Sequence, residues 1–179
     1  MRTEIRLSGF GGQGIGLAGF ILGKALCLFD GLETVMTQAY GPEARGGASS
    51  TNIVVDDQPI DYPFIQQADI LVALSQEAYT RFRQEVKSGA TIIIDDGLVT
   101  PDAEDQCHAI PATELAEGLG RRVVANVIML GFFTAVTGLV KRQAMERAIE
   151  TTVRPKTLEL NKKAFLTGFE YAAKIEQAR

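Results

Sequence analysis

Gly9-Phe10-Gly11-Gly12-Gln13-Gly14 stands directly after the strand-like run Glu4-Ile5-Arg6-Leu7-Ser8 and directly before a helical pattern. Gly9, Gly11 and Gly14 have the spacing of the dinucleotide fingerprint, in the strand–loop–helix setting that fingerprint requires. Glycines there bring backbone amides close to a pyrophosphate at a helix amino terminus. The same loop also reads as a tight turn demanded by the fold or by an interface. A second segment, Tyr40-Gly41-Pro42-Glu43-Ala44-Arg45-Gly46-Gly47-Ala48-Ser49-Ser50, follows another strand-like run, Glu33 to Ala39. Arg45 carries the planar fork that grips a phosphate or carboxylate; alternatively it closes an ion pair within the loop or between subunits. Gly9, Gly11, Gly12, Gln13, Gly14 and Arg45 are therefore the candidate cofactor contacts. Both segments are expected at the carboxyl ends of neighbouring strands, the rim where α/β sheets bind ligands.

Other chemistries lack their residues. A nicotinamide dehydrogenase wants a carboxylate at the end of the second strand to hold the ribose hydroxyls. That end offers Met36, Thr37, Gln38 and Ala39, and Glu33 lies at the opposite end. Cys27 and Cys107 are the only cysteines and His108 the only histidine. An iron–sulfur cluster generally needs four thiolates and a structural zinc site four ligands that include thiolates or imidazoles, so neither can be built from this chain alone. Cys107-His108 suggests a nucleophile and base, but adjacent strand residues point to opposite faces. Asp95 and Asp96 could be read as a magnesium site, and are more simply a turn after a strand. No residue is assigned a catalytic role.

The elements that must position these loops alternate between strand and helix. Strands are expected at 3–8, Glu33 to Ala39, Ser49 to Val55, Asp69 to Leu74, Ala90 to Asp95 and Cys107 to Ile110. The continuous apolar run Asp69-Ile70-Leu71-Val72-Ala73-Leu74 suits a parallel strand covered on both faces. Helices are expected at 14–29, from a Ser75 cap to about Val86, after Pro111 and Thr113, from an Asn126 cap to Thr137, and at 141–151 and 155–177. Gly89 would end the second of these and Gly138 the fourth. The expectation is one domain, residues 1–179, with a Rossmann-like open, mainly parallel sheet and helices on both faces.

The first helix is unusual. From Ile15 to Phe29 it is apolar nearly all the way round, whereas a helix on the outside of a monomer keeps a polar face. Gly16, Gly19 and Gly23 share one side of it at helical spacing. Close packing onto the sheet accounts for the glycines, and cover by another subunit accounts for the rest.

Length and composition agree. The chain has 179 residues, enough for a full core, with 46% hydrophobic and 22% charged residues. A net charge of −4 and the lack of a basic run argue against nucleic acid as the main partner. Lys24 and Asp30 interrupt the best candidate for a membrane span, and Met1-Arg2-Thr3-Glu4 runs into a strand with no signal-peptide core. No membrane association is expected, and the cytoplasm is the expected compartment.

Taken together, Gly9–Ile15, Tyr40–Gly47 and Ala68-Asp69-Ile70-Leu71-Val72-Ala73-Leu74-Ser75-Gln76-Glu77-Ala78-Tyr79 resemble the gamma subunit of 2-oxoacid:ferredoxin oxidoreductases. Asn126 before Met129-Leu130-Gly131, and Asn161 before Ala164-Phe165 and Gly168, carry the likeness to the end of the chain. Ala48-Ser49 and Pro59-Ile60-Asp61-Tyr62-Pro63 look most like the 2-oxoglutarate-type members. The resemblance implies a multi-subunit enzyme that oxidatively decarboxylates a 2-oxoacid to an acyl-coenzyme A and passes electrons to ferredoxin. It implies thiamine diphosphate and magnesium on alpha and beta subunits, and iron–sulfur clusters on beta or a ferredoxin-like delta subunit. The gamma chain would hold no redox centre and would lie on the coenzyme A side. Two alternatives stand beside it: the small subunit of an indolepyruvate-type enzyme, and a stand-alone nucleotide-binding module. An isolated gamma chain would be free to homodimerise through its orphaned interface.

Overall fold

In the computed structural model, residues 1–38 and 48–177 are described, the Glu176 side chain excepted. The second glycine segment, Tyr40–Gly47 with Arg45, lies outside them. Six strands form one sheet: β1 (Thr3–Gly9), β2 (Glu33–Gln38), β3 (Ser49–Asp56), β4 (Ala68–Ala73), β5 (Val86–Asp95) and β6 (Cys107–Ile110), in the order β2-β3-β1-β4-β5-β6. β1, β4, β5 and β6 pair in parallel, and β3 runs antiparallel to both β1 and β2. The expectation of a mainly parallel α/β sheet holds, with β3 as the strand that opposes the rest. Because β3 lies between them, β1 and β2 are not direct neighbours. Their carboxyl ends still share a rim, since Gly9 pairs with Ser49 and Gln38 with Thr51 at the start of β3.

Helices among the described residues are α1 (Ile15–Lys24), α2 (Gln76–Phe82), α3 (Ala112–Gly118), α4 (Ala125–Thr137), α5 (Arg142–Glu150) and α6 (Leu158–Gln177). They cover the two faces unequally. Ile5, Leu7, Ile53, Val72 and Ile93 point from the sheet into the larger core, against α1, α4, α5 and α6. Leu71, Ala73, Ile92 and Ile94 face the other way, onto Ala78, Tyr79 and Phe82 of α2. This alternation is the period of two that a sheet covered on both faces must show.

Several boundaries differ from those read in the sequence. α1 ends at Lys24 and continues as a π-helical turn, Ala25–Phe29. α2 is capped by Ser75 as expected, its Oγ accepting from the Ala78 amide at 3.3 Å, but it stops at Phe82. A turn closed by Glu85 N–H donating to Phe82 O then leads into β5 at Val86. Gly89, φ +77, lies inside β5 rather than ending a helix, where the pairing register with β4 shifts between Ala68 and Ile70. α4 is preceded by a 3-10 turn, Arg122–Val124, so the chain is already helical at Asn126 and that residue is not the cap. Gly138 does end α4 in the left-handed conformation.

α4 and α6 cross at van der Waals contact of their backbones. A Cβ on Gly131 would run into the Phe165 carbonyl, and one on Gly168 into the Ile128 carbonyl. These glycines set the position of α4 and so of Asn126, which reaches the glycine loop.

Candidate functional site

The first glycine loop is braced from two sides. Gln13 Oε1 accepts from the Phe10 amide at 2.6 Å, and its Nε2 donates to the Leu74 carbonyl at 2.8 Å, at the end of β4. Both ends of the Gln13 side chain are thus engaged within the protein, holding the loop onto the sheet. Asn126 Nδ2 donates to the Gly14 carbonyl at 3.1 Å. Gly12 and Gly14 take φ values of +95 and +75, which explains glycine at both. A Cβ on Gly9 would collide with Gln13, and one on Gly14 with Asn126.

Gly11 is different. It has no positive φ, and a Cβ there would meet nothing within 4 Å. Nothing described in this chain requires glycine at that position. The amides of Gly11, Gly12 and Gly14 donate to no described group, while the Gln13 amide is used by Phe10 O at 3.2 Å. The loop therefore presents N–H groups that no described residue takes up, at the amino terminus of α1, an arrangement able to receive an anion.

Beside Gly14 opens a groove of about 550 Å³, walled by the start of α1, the approach to α4, and the connection from α5 to α6. Its wall is apolar at Leu17, Val123 and Leu160, and it carries Arg121, Arg154 and Lys156. No carboxylate is among its described lining residues, although the chain as a whole is acidic. The sequence alone does not show this groove, because its three parts, around Gly14, Arg121 and Arg154, are far apart in the chain. The available signal was local: Arg121-Arg122 and Arg154-Pro155-Lys156 are basic pairs in an acidic protein.

The other sequence candidates separate. Asp95 is fully buried and its oxygens are used: Oδ2 accepts from the Thr113 amide at 2.9 Å and hydroxyl at 2.5 Å, and Oδ1 from Gly97 N at 3.2 Å. It anchors the amino terminus of α3. Asp96 beside it is exposed, its carboxyl pushed up by partial burial and by Asp95. Cys107 packs onto the smaller core, where burial raises its thiol, and His108 is exposed on the β6 edge. Among the described residues no group of three or more His, Cys, Asp or Glu side chains is placed to hold a metal. No helix among them is long and apolar enough to cross a membrane.

α1 has two unlike sides. Its glycine side packs on the sheet, where a Cβ on Gly19 would strike Thr51 of β3 and one on Gly16 would approach Gln38 of β2 to 2.8 Å. The far side carries Leu17 and Phe20 at 44% and 50% exposure, and the π-helical turn that continues it adds Leu28 at 66% and exposed Cys27. Apolar side chains held this far into water mark a surface that ordinarily meets another molecule.

Comparison with known proteins decides the family. Residues 4–171 match the family described as pyruvate ferredoxin/flavodoxin oxidoreductase. The chain belongs to that family. It is 47% identical over 180 residues to 2-oxoglutarate synthase subunit KorC of Methanocaldococcus jannaschii, covering 98% of this chain and 96% of that one. Its fold is similar to the keto/oxoacid ferredoxin oxidoreductase gamma subunit of Geobacter sulfurreducens, with a TM-score of 0.88 at 39% identity, covering 97% and 98% of the two chains. The 2-oxoglutarate:ferredoxin oxidoreductase of Magnetococcus marinus shares the fold at a TM-score of 0.86 and 22% identity; the match covers 97% of this chain and 31% of that one. The gamma-subunit resemblance carried by the glycine segments and the Ala68–Tyr79 run is borne out, and the chain is a subunit of an oxidoreductase complex.

Proposed function

We propose that this chain is the gamma subunit of a 2-oxoglutarate-type 2-oxoacid:ferredoxin oxidoreductase and forms the side of the complex where coenzyme A enters. The observation that carries the reading is the end-to-end 47% identity with a 2-oxoglutarate synthase subunit. Thiamine diphosphate, magnesium and iron–sulfur clusters would belong to alpha, beta and, where present, delta subunits, with ferredoxin as the electron acceptor. Coenzyme A would supply the thiol that receives the acyl group. This chain's share is binding and placement. The amides of Gly11, Gly12 and Gly14 would meet a phosphate of coenzyme A, and Arg45 would add a bidentate contact. Gln13 and Asn126 would hold the loop in the shape that exposes those amides. The apolar far side of α1, around Phe20 and Leu28, would pack against a partner subunit.

That the fold-sharing Magnetococcus enzyme was solved with coenzyme A and succinyl-coenzyme A bound supports the choice of ligand. Gly11 supports the choice of loop, because an approaching molecule supplies a reason for glycine that the described residues of this chain do not. The test is steady-state kinetics on the assembled enzyme. Gly11→Ala and Arg45→Ala should raise the KM for coenzyme A, by about tenfold for the lost guanidinium contact, with little change in the KM for the oxoacid. An unchanged KM for coenzyme A in both variants would remove the loop from the binding site.

A further inference from the structure

The groove beside Gly14 shares that residue and Asn126 with the glycine loop but carries basic side chains the loop lacks. Its volume, about 550 Å³, lies within the range of small-molecule sites. Leu17 and Val123 keep apolar surface exposed on its wall, at 44% and 58%. Arg121, Arg154 and Lys156 converge on it from two separate stretches of chain, all three exposed and none with an ion pair or hydrogen bond from its side chain to a described residue. Elsewhere the chain pairs its cations freely: Arg83 with Asp105, Lys87 with Asp69, Arg142 with Glu146 and Lys162 with Glu150. Three cations with no described partner, and no carboxylate among the described lining residues, leave a local excess of positive charge on an acidic protein, and apolar walls concentrate its field.

We propose that this groove is an anion site that takes the phosphate groups of a phosphorylated organic ligand, with Arg121, Arg154 and Lys156 on the phosphates and the apolar wall against the organic part. Two arginines suit the bidentate geometry of phosphate oxygens, and Lys156 adds a point charge. Coenzyme A and a free nucleotide share this chemistry. Naming coenzyme A as the ligand rests on the proposed function; the anion site itself does not.

The test is isothermal titration of the complete complex, purified with its partner subunits, using inorganic pyrophosphate, coenzyme A and dephospho-coenzyme A as probes. Arg121→Ala, Arg154→Ala and Lys156→Ala should each weaken pyrophosphate about three- to tenfold, the range of one charge-assisted contact at an exposed site. The triple variant should abolish pyrophosphate binding. Arg154→Lys should keep part of the affinity. Because none of the three side chains holds a described partner, the variants should melt with the parent protein; Arg121→Gln serves if Arg121→Ala does not. If coenzyme A weakens in parallel, the groove holds coenzyme A, and a smaller loss for dephospho-coenzyme A places the 3′-phosphate there. If pyrophosphate weakens while coenzyme A does not, the anion site stands and a free phosphorylated molecule is its ligand. Gly11→Ala reports on the glycine loop independently of either result. Pyrophosphate that does not bind the complex, or that binds the triple variant as tightly as the parent, overturns the proposal.

Discussion

At the scale of single residues, two polar side chains brace the glycine loop from within the chain. Gln13 and Asn126 spend their amides on the Leu74 and Gly14 carbonyls and the Phe10 amide, so they shape the loop. A fingerprint of glycines was readable because spacing alone identifies it. The brace was not, because Asn126 stands 112 residues from its partner. A comparable brace ties the β5–β6 connection to α2. Asp105 accepts from Arg83 at 2.8 and 3.1 Å and from the Tyr79 hydroxyl, and Arg83 also pairs with Asp102 at 2.8 Å. The Arg83 guanidinium, more than the Tyr79 hydroxyl, holds the Asp105 carboxyl below its ordinary value. A carboxyl depressed in the folded state contributes stability that is complete above its unfolded pKa, about 3.9, and is lost as pH falls through the folded value. Melting temperature should therefore drop below about pH 4, and Arg83→Met should melt lower at neutral pH with a shallower acid slope. Parallel slopes in the two proteins would show that the pair carries no linkage.

At the scale of elements, the order of strands and helices was legible and the geometry between them was not. β6 lies at Cys107–Ile110, where the strand was expected. The direction of β3 was not visible, because alternation of apolar residues is the same for a strand running either way. Connection length was the remaining clue: the ten residues between Gln38 and Ser49 are short for a parallel crossover. The α4–α6 crossing was equally hidden, although Gly131 and Gly168 stood in the sequence. Gly168→Ala should destabilise the chain by about 1–3 kcal/mol or more, since the new methyl must displace the Ile128 carbonyl. Thermal or denaturant unfolding measures this. A variant as stable as the parent would mean that the two helices separate without cost.

At the scale of the whole molecule, one face of α1 is the feature a lone chain leaves unexplained. Phe20, Cys27 and Leu28 are exposed together, whereas Cys107 is partly covered and its thiol raised by burial. An alkylating reagent should label Cys27 quickly in the separated chain and slowly in the complex. Cys107 should react slowly in both, because the thiolate is the reactive form. Equal labelling of Cys27 in the two preparations would place the partner on another face. The apolar character of this helix was plain in the sequence, and the glycine side that faces the sheet separated from the side that faces outward only once Gly16 and Gly19 were seen against Gln38 and Thr51.

Subunit identity is tested most directly by anaerobic affinity purification of the tagged chain from its native cells, with mass spectrometry of the proteins retained and assay of the eluate. Stoichiometric thiamine-binding and iron–sulfur subunits, with 2-oxoglutarate oxidation that depends on coenzyme A, are the predicted result. A chain that elutes without stoichiometric partners and without that activity would contradict it.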